Sequence, residues 1–196
     1  MSSREEIWRV FCAIEFPKQV VESALERISV LRARFPDVTA SWIREGNFHL
    51  TIEFIGEVPR AKVDRLSGAA LRAATNLQTF AISVSGAGSF PKSGPPKVLW
   101  LGVEDQSGKL NELHRRLEEE CAVEGFAKED RAFHPHLTIA RVRRIAGARE
   151  LAAAHRELGF STIEVAVKEL LVIRSELSSS GSKYSVVSRH SLRSVI

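Results

Sequence analysis

Two short segments of the chain share one pattern of residue types: a histidine, a leucine, a threonine and an isoleucine. Side chains alternate between the two faces of a β-strand, so the first and third residues of an extended segment point the same way. The histidine and threonine would then share one face, and the leucine and isoleucine would enter the core. Two such strands facing each other would line one cleft with two imidazoles and two hydroxyls. The segments are His49-Leu50-Thr51-Ile52 and His136-Leu137-Thr138-Ile139.

This set of groups is suited to acid–base chemistry on a phosphate ester. Histidine titrates near pH ~6.5, so at neutral pH one imidazole can accept a proton while another donates one. A pair on opposite sides of a phosphate could deprotonate an attacking water and protonate the departing oxygen. The threonine hydroxyls could donate hydrogen bonds to the non-bridging oxygens, where negative charge grows in the transition state. Because a cyclic phosphodiester is strained, we expect the two histidines to suffice without a metal or another cofactor.

Arg141 is a candidate third group for the phosphate, because its planar guanidinium offers charged donors that match phosphate oxygens. It lies five residues after His136. In a regular strand it would point away from His136, so it needs a bulge or the strand end to reach the cleft. Arg143 and Arg144 extend this basic run, which could contact nucleic-acid phosphates or simply form a solvated face.

The remaining histidines and the aromatic residues leave several interpretations open. His134 and His136 form a His-x-His pair, but no cysteine or carboxylate pattern nearby completes a metal site, and we expect none. His114 and His155 fall on charged stretches of predicted helices, where solvation is expected. Four aromatic residues are candidates for stacking on a base, although core packing is the favoured interpretation of each: Phe11, Trp42, Phe90 and Tyr184.

The bulk properties are those of an ordinary globular protein. With 196 residues, 44% hydrophobic and 27% charged, the chain fits one domain or two small lobes that share a core. No apolar run approaches the ~20 residues that span a bilayer, and the polar N-terminus argues against a secretory signal. Cys12 and Cys121 lie in apolar patterns, which indicates buried thiols of a reducing compartment such as the cytoplasm. A net charge of +4 permits an anionic substrate.

Apolar periodicity predicts interspersed strands and helices, with several strand pairs that form hairpins. This order favours an α+β fold with antiparallel sheets over a parallel doubly wound fold. The separation of 87 positions between His49 and His136 suits two similar halves that face each other. We expect Gly56 to end the first motif strand. The predicted segments include motif strands at 47–55 and 134–141, a loop at 86–96, one continuous strand at 163–173 and a turn at 178–182.

Together with their surroundings, the two motifs resemble the 2H phosphoesterase superfamily, which takes its name from two histidine motifs. Within it, the chain resembles the bacterial and archaeal RNA 2′,3′-cyclic phosphodiesterases, also called LigT-like or 2′-5′ RNA ligase-like proteins. The resemblance covers nearly the whole chain, and neither motif departs from the family pattern. The segments that carry it are RVFCAIEFP, SWIREGNFHLTIEFIGEV, GSFPKSGPPKVLWLGV, FHPHLTIARV and LLVIRSELSSSGSKYSVV.

The resemblance implies two pseudo-symmetric α+β lobes, each an antiparallel sheet with helices on its outer face, in a single bilobal domain over residues 1–196. A central cleft would carry both motifs. The implied activity is hydrolysis of a terminal RNA 2′,3′-cyclic phosphate to a 2′-phosphomonoester. By that resemblance, His49 is the general acid that protonates the leaving 3′ oxygen, and His136 is the general base that activates water. Thr51, Thr138 and Arg141 would hold the phosphate.

Several alternatives stay open from the sequence. Family members are also linked to joining RNA ends through a 2′-5′ bond, the reverse chemistry. Another cyclic or 2′-5′ nucleotide ester could be the substrate, or the chain could be a non-catalytic RNA-binding module, which has no need of two acid–base groups. We expect a cytoplasmic monomer that acts on RNA or a nucleotide ending in a 2′,3′-cyclic phosphate, without a membrane, metal or cofactor.

Overall fold

The computed structural model describes residues 5–129, 131–178 and 181–194. Two short 3₁₀ turns, Glu45–Asn47 and Arg60–Lys62, precede β3 and α2. None of the described helices is long and apolar enough to cross a membrane. In chain order the elements are β1 (Ile7–Glu15), α1 (Lys18–Arg34), β2 (Ala40–Trp42), β3 (His49–Pro59), α2 (Val63–Ala74), β4 (Phe80–Phe90), β5 (Val98–Glu104), α3 (Lys109–Val123), β6 (His136–Val142), α4 (Ala148–Glu157), β7 (Ile163–Val167), β8 (Glu169–Ser178) and β9 (Gly181–Ser191).

The strands form two sheets in which every pairing is antiparallel. The first sheet has the order β3-β1-β8-β9, and the second has the order β2-β6-β5-β4-β7. Helices α2 and α3 pack on the first sheet, α4 packs on β4 of the second, and α1 contacts α4. The α+β class with antiparallel sheets is therefore confirmed. Each sheet contributes one motif strand, β3 in the first and β6 in the second, and these two strands approach each other.

A large apolar core contains the inward-facing residues of both motif strands. Leu50, Ile52, Leu137 and Ile139 are each at most 2% exposed, as the alternating pattern predicts. Fully burying a leucine or isoleucine side chain contributes roughly 1.5–3 kcal/mol. These four residues therefore hold the two strands against the core, and their burial fixes the direction in which the histidines and threonines point.

Cys12 and Cys121 are buried in the same core as free thiols, which confirms the prediction of their burial. Burial raises the pKa of both thiols, and raises that of Cys121 to about 12. Both groups therefore remain protonated at neutral pH and act as small apolar side chains.

Two glycines that were predicted to mark strand ends or loops instead lie inside strands. The strand expected to end at Gly56 continues to Pro59, and the loop expected from Gly86 begins only after Phe90. Gly56 follows a bulge at Ile55, and Gly86 is itself the unpaired residue of a bulge in β4. Both glycines have a positive φ, +84° and +63°, which other residues rarely adopt. A bulge lets a strand pass through such a residue, and the alternating pattern alone does not reveal it.

The continuous strand predicted at 163–173 is two strands in different sheets. β7 pairs with β4 in the second sheet, whereas β8 pairs with β1 and β9 in the first. Lys168 is the single residue between them. Apolar alternation looks the same in either sheet, so the sequence does not show where the chain crosses over. The turn predicted at 178–182 includes residues 179 and 180, which lie outside the described residues.

Candidate active site

Each motif strand carries a β-bulge at the same place, three residues after its histidine. The extra residue is Ile52 in β3 and Ile139 in β6. A bulge places two residues opposite one and shifts the alternation of faces by one residue. The bulged isoleucine and the residue after it, Glu53 or Ala140, are therefore both buried, at 2% exposure or less. The next residue along each strand returns to the face that carries the histidine.

In β6 that next residue is Arg141. The bulge therefore turns Arg141 to the face of the strand that carries His136, which a regular strand would not do. Burial lowers the pKa of both His49 and His136, and the positive charge of Arg141 adds to this shift at each of them. The corresponding residue in β3 is Phe54, and the guanidinium of Arg9 lies 4.9 Å from its ring centroid. The two strands thus present a cation and a cation–aromatic pair at equivalent positions.

Both motif histidines are oriented by the same type of hydrogen bond. Nδ1–H of His49 donates to the carbonyl oxygen of Asn47 at 2.9 Å, and Nδ1–H of His136 donates to that of His134 at 2.6 Å. Because a carbonyl only accepts, each neutral imidazole carries its proton on Nδ1 and has Nε2 as its free acceptor. Neither Nε2 atom is hydrogen-bonded to another residue in the described part of the chain. The cleft therefore holds two basic nitrogen atoms of the same kind.

Burial lowers the pKa of both histidines and brings that of His49 to about 4. The hydrogen bond to the carbonyl oxygen of Asn47 or His134 opposes this shift, and the charge of Arg141 adds to it. Both imidazoles are thus neutral at pH 7 in the free protein. An anion in the cleft favours the protonated form of a nearby imidazole, so a bound phosphate creates the condition under which one histidine becomes an acid.

Thr51 and Thr138 stand two residues after their histidines, on the same face of each strand. Both side chains are half-buried. Among the described residues, neither hydroxyl has a hydrogen-bond partner. Each is therefore able to donate to a ligand oxygen in the cleft.

His49 is packed among aromatic rings of the first sheet. Its ring centroid lies 4.7 Å from that of Phe11 and 5.2 Å from that of Tyr184. The rings of Phe11 and Tyr184 also meet each other edge to face, with a centroid distance of 5.2 Å. Phe11 is only 3% exposed, so its ring supports His49. Tyr184 is held over His49 by the start of β9, because Nδ2–H of Asn47 donates to the carbonyl oxygen of Ser182 at 2.8 Å.

Phe90 and Trp100 form the corresponding aromatic surface beside His136. The ring centroid of Phe90 lies 5.2 Å from that of His136 and 5.2 Å from that of Trp100. Trp100 pairs directly with Thr138 across β5 and β6. Trp100 is therefore a cleft residue that the sequence analysis did not identify.

A glycine in the neighbouring strand makes room for the indole of Trp100. A Cβ atom at Gly88 would lie 2.2 Å from Cζ2 of Trp100, closer than any side chain allows. The flanking residues Leu99 and Leu101 are fully buried, and this alternation is the sequence signal that places Trp100 on the cleft face. The indole N–H is buried without a hydrogen-bond partner among the described residues.

Trp42 lies on the opposite face of the second sheet. It pairs with Ala140, which is fully buried, and packs against the main core. In the described ranges it makes no ring contact with either motif histidine. Of the four aromatic residues considered for stacking, Phe11, Phe90 and Tyr184 lie at the histidines, whereas Trp42 does not.

A titratable pair lies behind the first motif strand. Glu53 is 1% exposed, and burial together with the charges of Glu118 and Glu129 raises its pKa to about 7. Its Oε2 atom lies 3.4 Å from Nε2 of His114 without forming a hydrogen bond. The ring of His114 stacks on Phe133 with a centroid distance of 4.3 Å. The expectation that His114 is solvated is therefore wrong, since its side chain is only 19% exposed and its ring contacts Phe133 and lies beside Glu53.

His155 is likewise not solvated, because it is fully buried behind the second sheet. Its Nε2–H donates to the carbonyl oxygen of Trp100 at 3.0 Å, and Nη1–H of Arg27 donates to its Nδ1 at 3.2 Å and to its backbone oxygen at 2.6 Å. Arg27 also donates to the carbonyl oxygen of Gly159. Burial and then the charge of Arg27 lower the pKa of His155 to about 4. This network ties α1, α4 and β5 together directly behind Trp100.

Within the described residues, no three or more histidine, cysteine, aspartate or glutamate side chains are grouped so that they could hold a metal ion. The exposed side chain of His134 lies near Phe90, with a ring centroid distance of 6.4 Å. The His-x-His pair of the sequence thus contributes one cleft imidazole, that of His136, and one backbone carbonyl that orients it.

Comparison with known proteins places the chain in a family. Residues 20–178 match the model of the 2′-5′ RNA ligase superfamily. An RNA 2′,3′-cyclic phosphodiesterase of Thermotoga maritima is 34% identical over 179 residues, which are 91% of this chain and 92% of that protein. A protein of the same name from Methanocaldococcus jannaschii is 29% identical over 91% of this chain and 98% of its own length. The chain belongs to the 2′-5′ RNA ligase superfamily.

Solved structures share the fold over nearly the whole chain. TT0787 of Thermus thermophilus has a TM-score of 0.74, with 24% identity over 95% of this chain and 98% of that one. Escherichia coli LigT in complex with 3′-AMP has a TM-score of 0.72, with 27% identity over 95% of this chain and 99% of that one. The arrangement of two antiparallel sheets with helices packed on them, as the described residues form it, is therefore the fold of the LigT-like proteins.

Proposed function

We propose that the chain hydrolyses RNA 2′,3′-cyclic phosphodiester ends to 2′-phosphomonoesters by acid–base catalysis with two histidines. The observation that carries the proposal is the matched pair of imidazoles, each with Nδ1–H anchored to the carbonyl two residues earlier and Nε2 free. A protein that only binds RNA has no need of two oriented bases in one cleft. The names and high coverage of the relatives support the same substrate class.

In this reaction, Nε2 of His136 accepts a proton from a water molecule as its oxygen attacks the phosphorus. The bond from phosphorus to the 3′ oxygen breaks, and Nε2–H of His49 donates a proton to that oxygen. The 2′ ester bond stays, so the products are a 2′-phosphate and a free 3′-hydroxyl. The two histidines end with their protonation states exchanged, and proton exchange with water restores them. Each such proton transfer typically contributes ~10²–10⁴ in rate.

The remaining cleft groups stabilise the charge that develops on the phosphate. The hydroxyls of Thr51 and Thr138 donate to the non-bridging oxygens, and Arg141 supplies a planar cation beside them. The anionic phosphate also raises the low pKa of His49, so that this buried imidazole is protonated only with substrate present. The half-exposed edges of Phe90 and Tyr184 are the surfaces that a terminal base contacts in this account.

The same step can use a different nucleophile. When the 5′-hydroxyl of a second RNA replaces water, attack on the phosphorus and loss of the 3′ oxygen form a 2′-5′ bond. The proposal further holds that residues 1–196 act as a single bilobal, monomeric domain in the cytoplasm, without a metal or cofactor.

The test uses a short RNA that ends in a 2′,3′-cyclic phosphate, incubated with the protein in EDTA. The product is resolved as 2′-phosphate or 3′-phosphate. We expect the 2′-phosphate, with turnover lowered ~10²–10⁴-fold in H49A and H136A and kept in H190N, a control on the helix side of the first sheet. A 3′-phosphate product would mean that the 2′ oxygen is the leaving group, contrary to the proposed polarity. No conversion by a folded protein would overturn the proposal for this substrate and favour another ester or simple binding.

A further inference from the structure

A groove of about 240 Å³ lies between α4 and the loop that joins β4 to β5. Its floor includes Ala152, which is fully buried, and Pro96, which is also buried. Helix α4 is held in place by the buried contact between Arg27 and His155. The groove therefore has a rigid base under an exposed rim. Its remaining lining residues are Ser89, Pro91, Lys92, Gly94, Arg149 and Arg156.

The rim of the groove is cationic. Lys92, Arg149 and Arg156 are exposed, and none of them forms an ion pair or hydrogen bond with another described residue. Arg149, Ala152 and Arg156 follow the i, i+3, i+7 spacing of one helix face, whereas the acids Glu150 and Glu157 lie about a quarter-turn away. Three unpaired cations around one concavity raise the local concentration of anions.

The groove adjoins the cleft at the end of the β4–β5 hairpin. Ser89 and Pro91 line it, and Phe90 between them contacts His136 on the opposite face. Across the end of the sheet, Phe90 pairs with Val98, and Val98 pairs with Arg141. An RNA strand that leaves the phosphate site beside Arg141 would thus pass Phe90 and reach the groove around the loop at 91–97.

We propose that this groove binds backbone phosphates of the RNA upstream of its cyclic end. The inference rests on the proposed function, since it takes the terminal phosphate to lie between His49 and His136. Lysine and arginine contacts to phosphates position a strand without reading its sequence. The groove lies on the other face of the hairpin end, so a mononucleotide in the cleft does not reach it. It therefore favours oligonucleotides over mononucleotides, whatever their bases.

The test compares 2′,3′-cyclic AMP with a ten-nucleotide RNA that ends in a 2′,3′-cyclic phosphate. The groove variant is K92A/R149A/R156A. Its matched control is K18A/R65A/R115A, which removes the same charge from exposed positions on the other three helices. We expect kcat/KM of the groove variant on the decamer to fall ~10-fold or more at low salt, because KM rises. Its hydrolysis of 2′,3′-cyclic AMP should be unchanged. The slope of log kcat/KM against log salt should shrink by ~0.7 for each phosphate that the variant no longer binds.

Fluorescence anisotropy with a decamer that ends in a 3′-phosphate measures the groove without any turnover. Weaker binding by the groove variant than by the control supports the inference even if the wild type hydrolyses neither substrate, in which case only the proposed reaction fails. Equal binding and equal decamer turnover in the two variants would overturn the inference. A loss for the groove variant that is as large on cyclic AMP as on the decamer would also overturn it, because the residues would then act within the cleft.

Discussion

Glu53 and Ala140 occupy equivalent positions, each directly after the bulged isoleucine of its motif strand. Both side chains are buried behind their strands, but one is a carboxyl group and the other a methyl group. The two motif strands thus share their histidines, threonines, leucines and isoleucines but differ at this buried position. As a result, the strand that carries His49 has a buried titratable group, the carboxyl group of Glu53, on its core face.

That difference predicts how stability depends on pH. The pKa of Glu53 is raised from 4.5 to about 7 in the folded protein. The folded state therefore binds this proton more tightly, and the resulting stabilisation is fully present below pH 4.5 and is lost as the pH rises through 7. E53Q removes the titration while it keeps the size of the side chain. Urea unfolding should show E53Q to be more stable than the wild type at about pH 8, with the gap closing near pH 5. A gap that is equal at both pH values would contradict the buried-carboxyl account, and the exposed E119Q serves as the pH-independent control.

Asn47 links the orientation of His49 to the start of β9. Its backbone oxygen accepts from Nδ1 of His49, and its side chain donates to the carbonyl oxygen of Ser182. N47A keeps the first bond and breaks the second, so Tyr184 is held less firmly over His49. We expect a loss of ~0.5–1.5 kcal/mol in the free energy of unfolding and a decrease of ~10-fold in kcat/KM from misplacement of the imidazole. H134A, at the equivalent position before His136, loses only an exposed side chain and should retain near-wild-type values. An equal loss in H134A would contradict the role given to the hydrogen bond from Asn47 to Ser182.

Arg141 should act on both the rate and the titration of the histidines. R141A removes a preorganised cation from the phosphate, which we expect to lower kcat by ~10²–10³. Because its charge lowers the pKa of His49 and of His136 in the free protein, its removal should raise both values in an NMR titration of the imidazole protons. R143A is the matched control, since the Nε–H of Arg143 donates to Ser41 instead. Unchanged histidine pKa values in R141A would place the guanidinium outside the cleft.

Gly88 is required by the position of the Trp100 indole. A methyl group in G88A would lie 2.2 Å from Cζ2 of Trp100, so the indole must move away from Thr138 and Phe90. Overpacking of this kind costs ~1–3 kcal/mol. We expect urea unfolding to show that loss together with a changed tryptophan emission spectrum. G46A, where no atom lies within 4 Å of the new Cβ, should leave both measurements unchanged. An unchanged spectrum in G88A would mean that the indole does not rest on this glycine.

The sequence alone predicts burial correctly where the spacing of apolar residues matches the alternation of a strand. Leu50, Ile52, Leu137 and Ile139 alternate with the histidines and threonines, and their burial follows from that pattern alone. The α+β class followed from the order of strands and helices. These features depend on local periodicity, which a single sequence displays.

The features that the sequence could not supply depend on long-range pairing. The bulge at Ile139 exists only in register with β5, so the side of the strand on which Arg141 lies could not be settled from the strand itself. His155 is buried because Arg27, 128 residues earlier in the chain, satisfies its Nδ1. The crossover at Lys168 is invisible for the same reason, since both flanking strands have the same alternation.

The central claim is that the two alike histidines have opposite roles, and pH–rate profiles of kcat/KM test it most directly. The profile reports the pKa values of the free enzyme, which lie at about 4 for His49 and below the ordinary value for His136. We therefore predict that wild-type kcat/KM on a 2′,3′-cyclic phosphate RNA is greatest on the acid side of neutrality. The residual activity of H136A should lose the limb that rises with pH, because the base is gone, and that of H49A should lose the limb that falls. If both variants retain both limbs, or if the limbs are lost in the opposite variants, the assignment of His49 as acid and His136 as base is wrong.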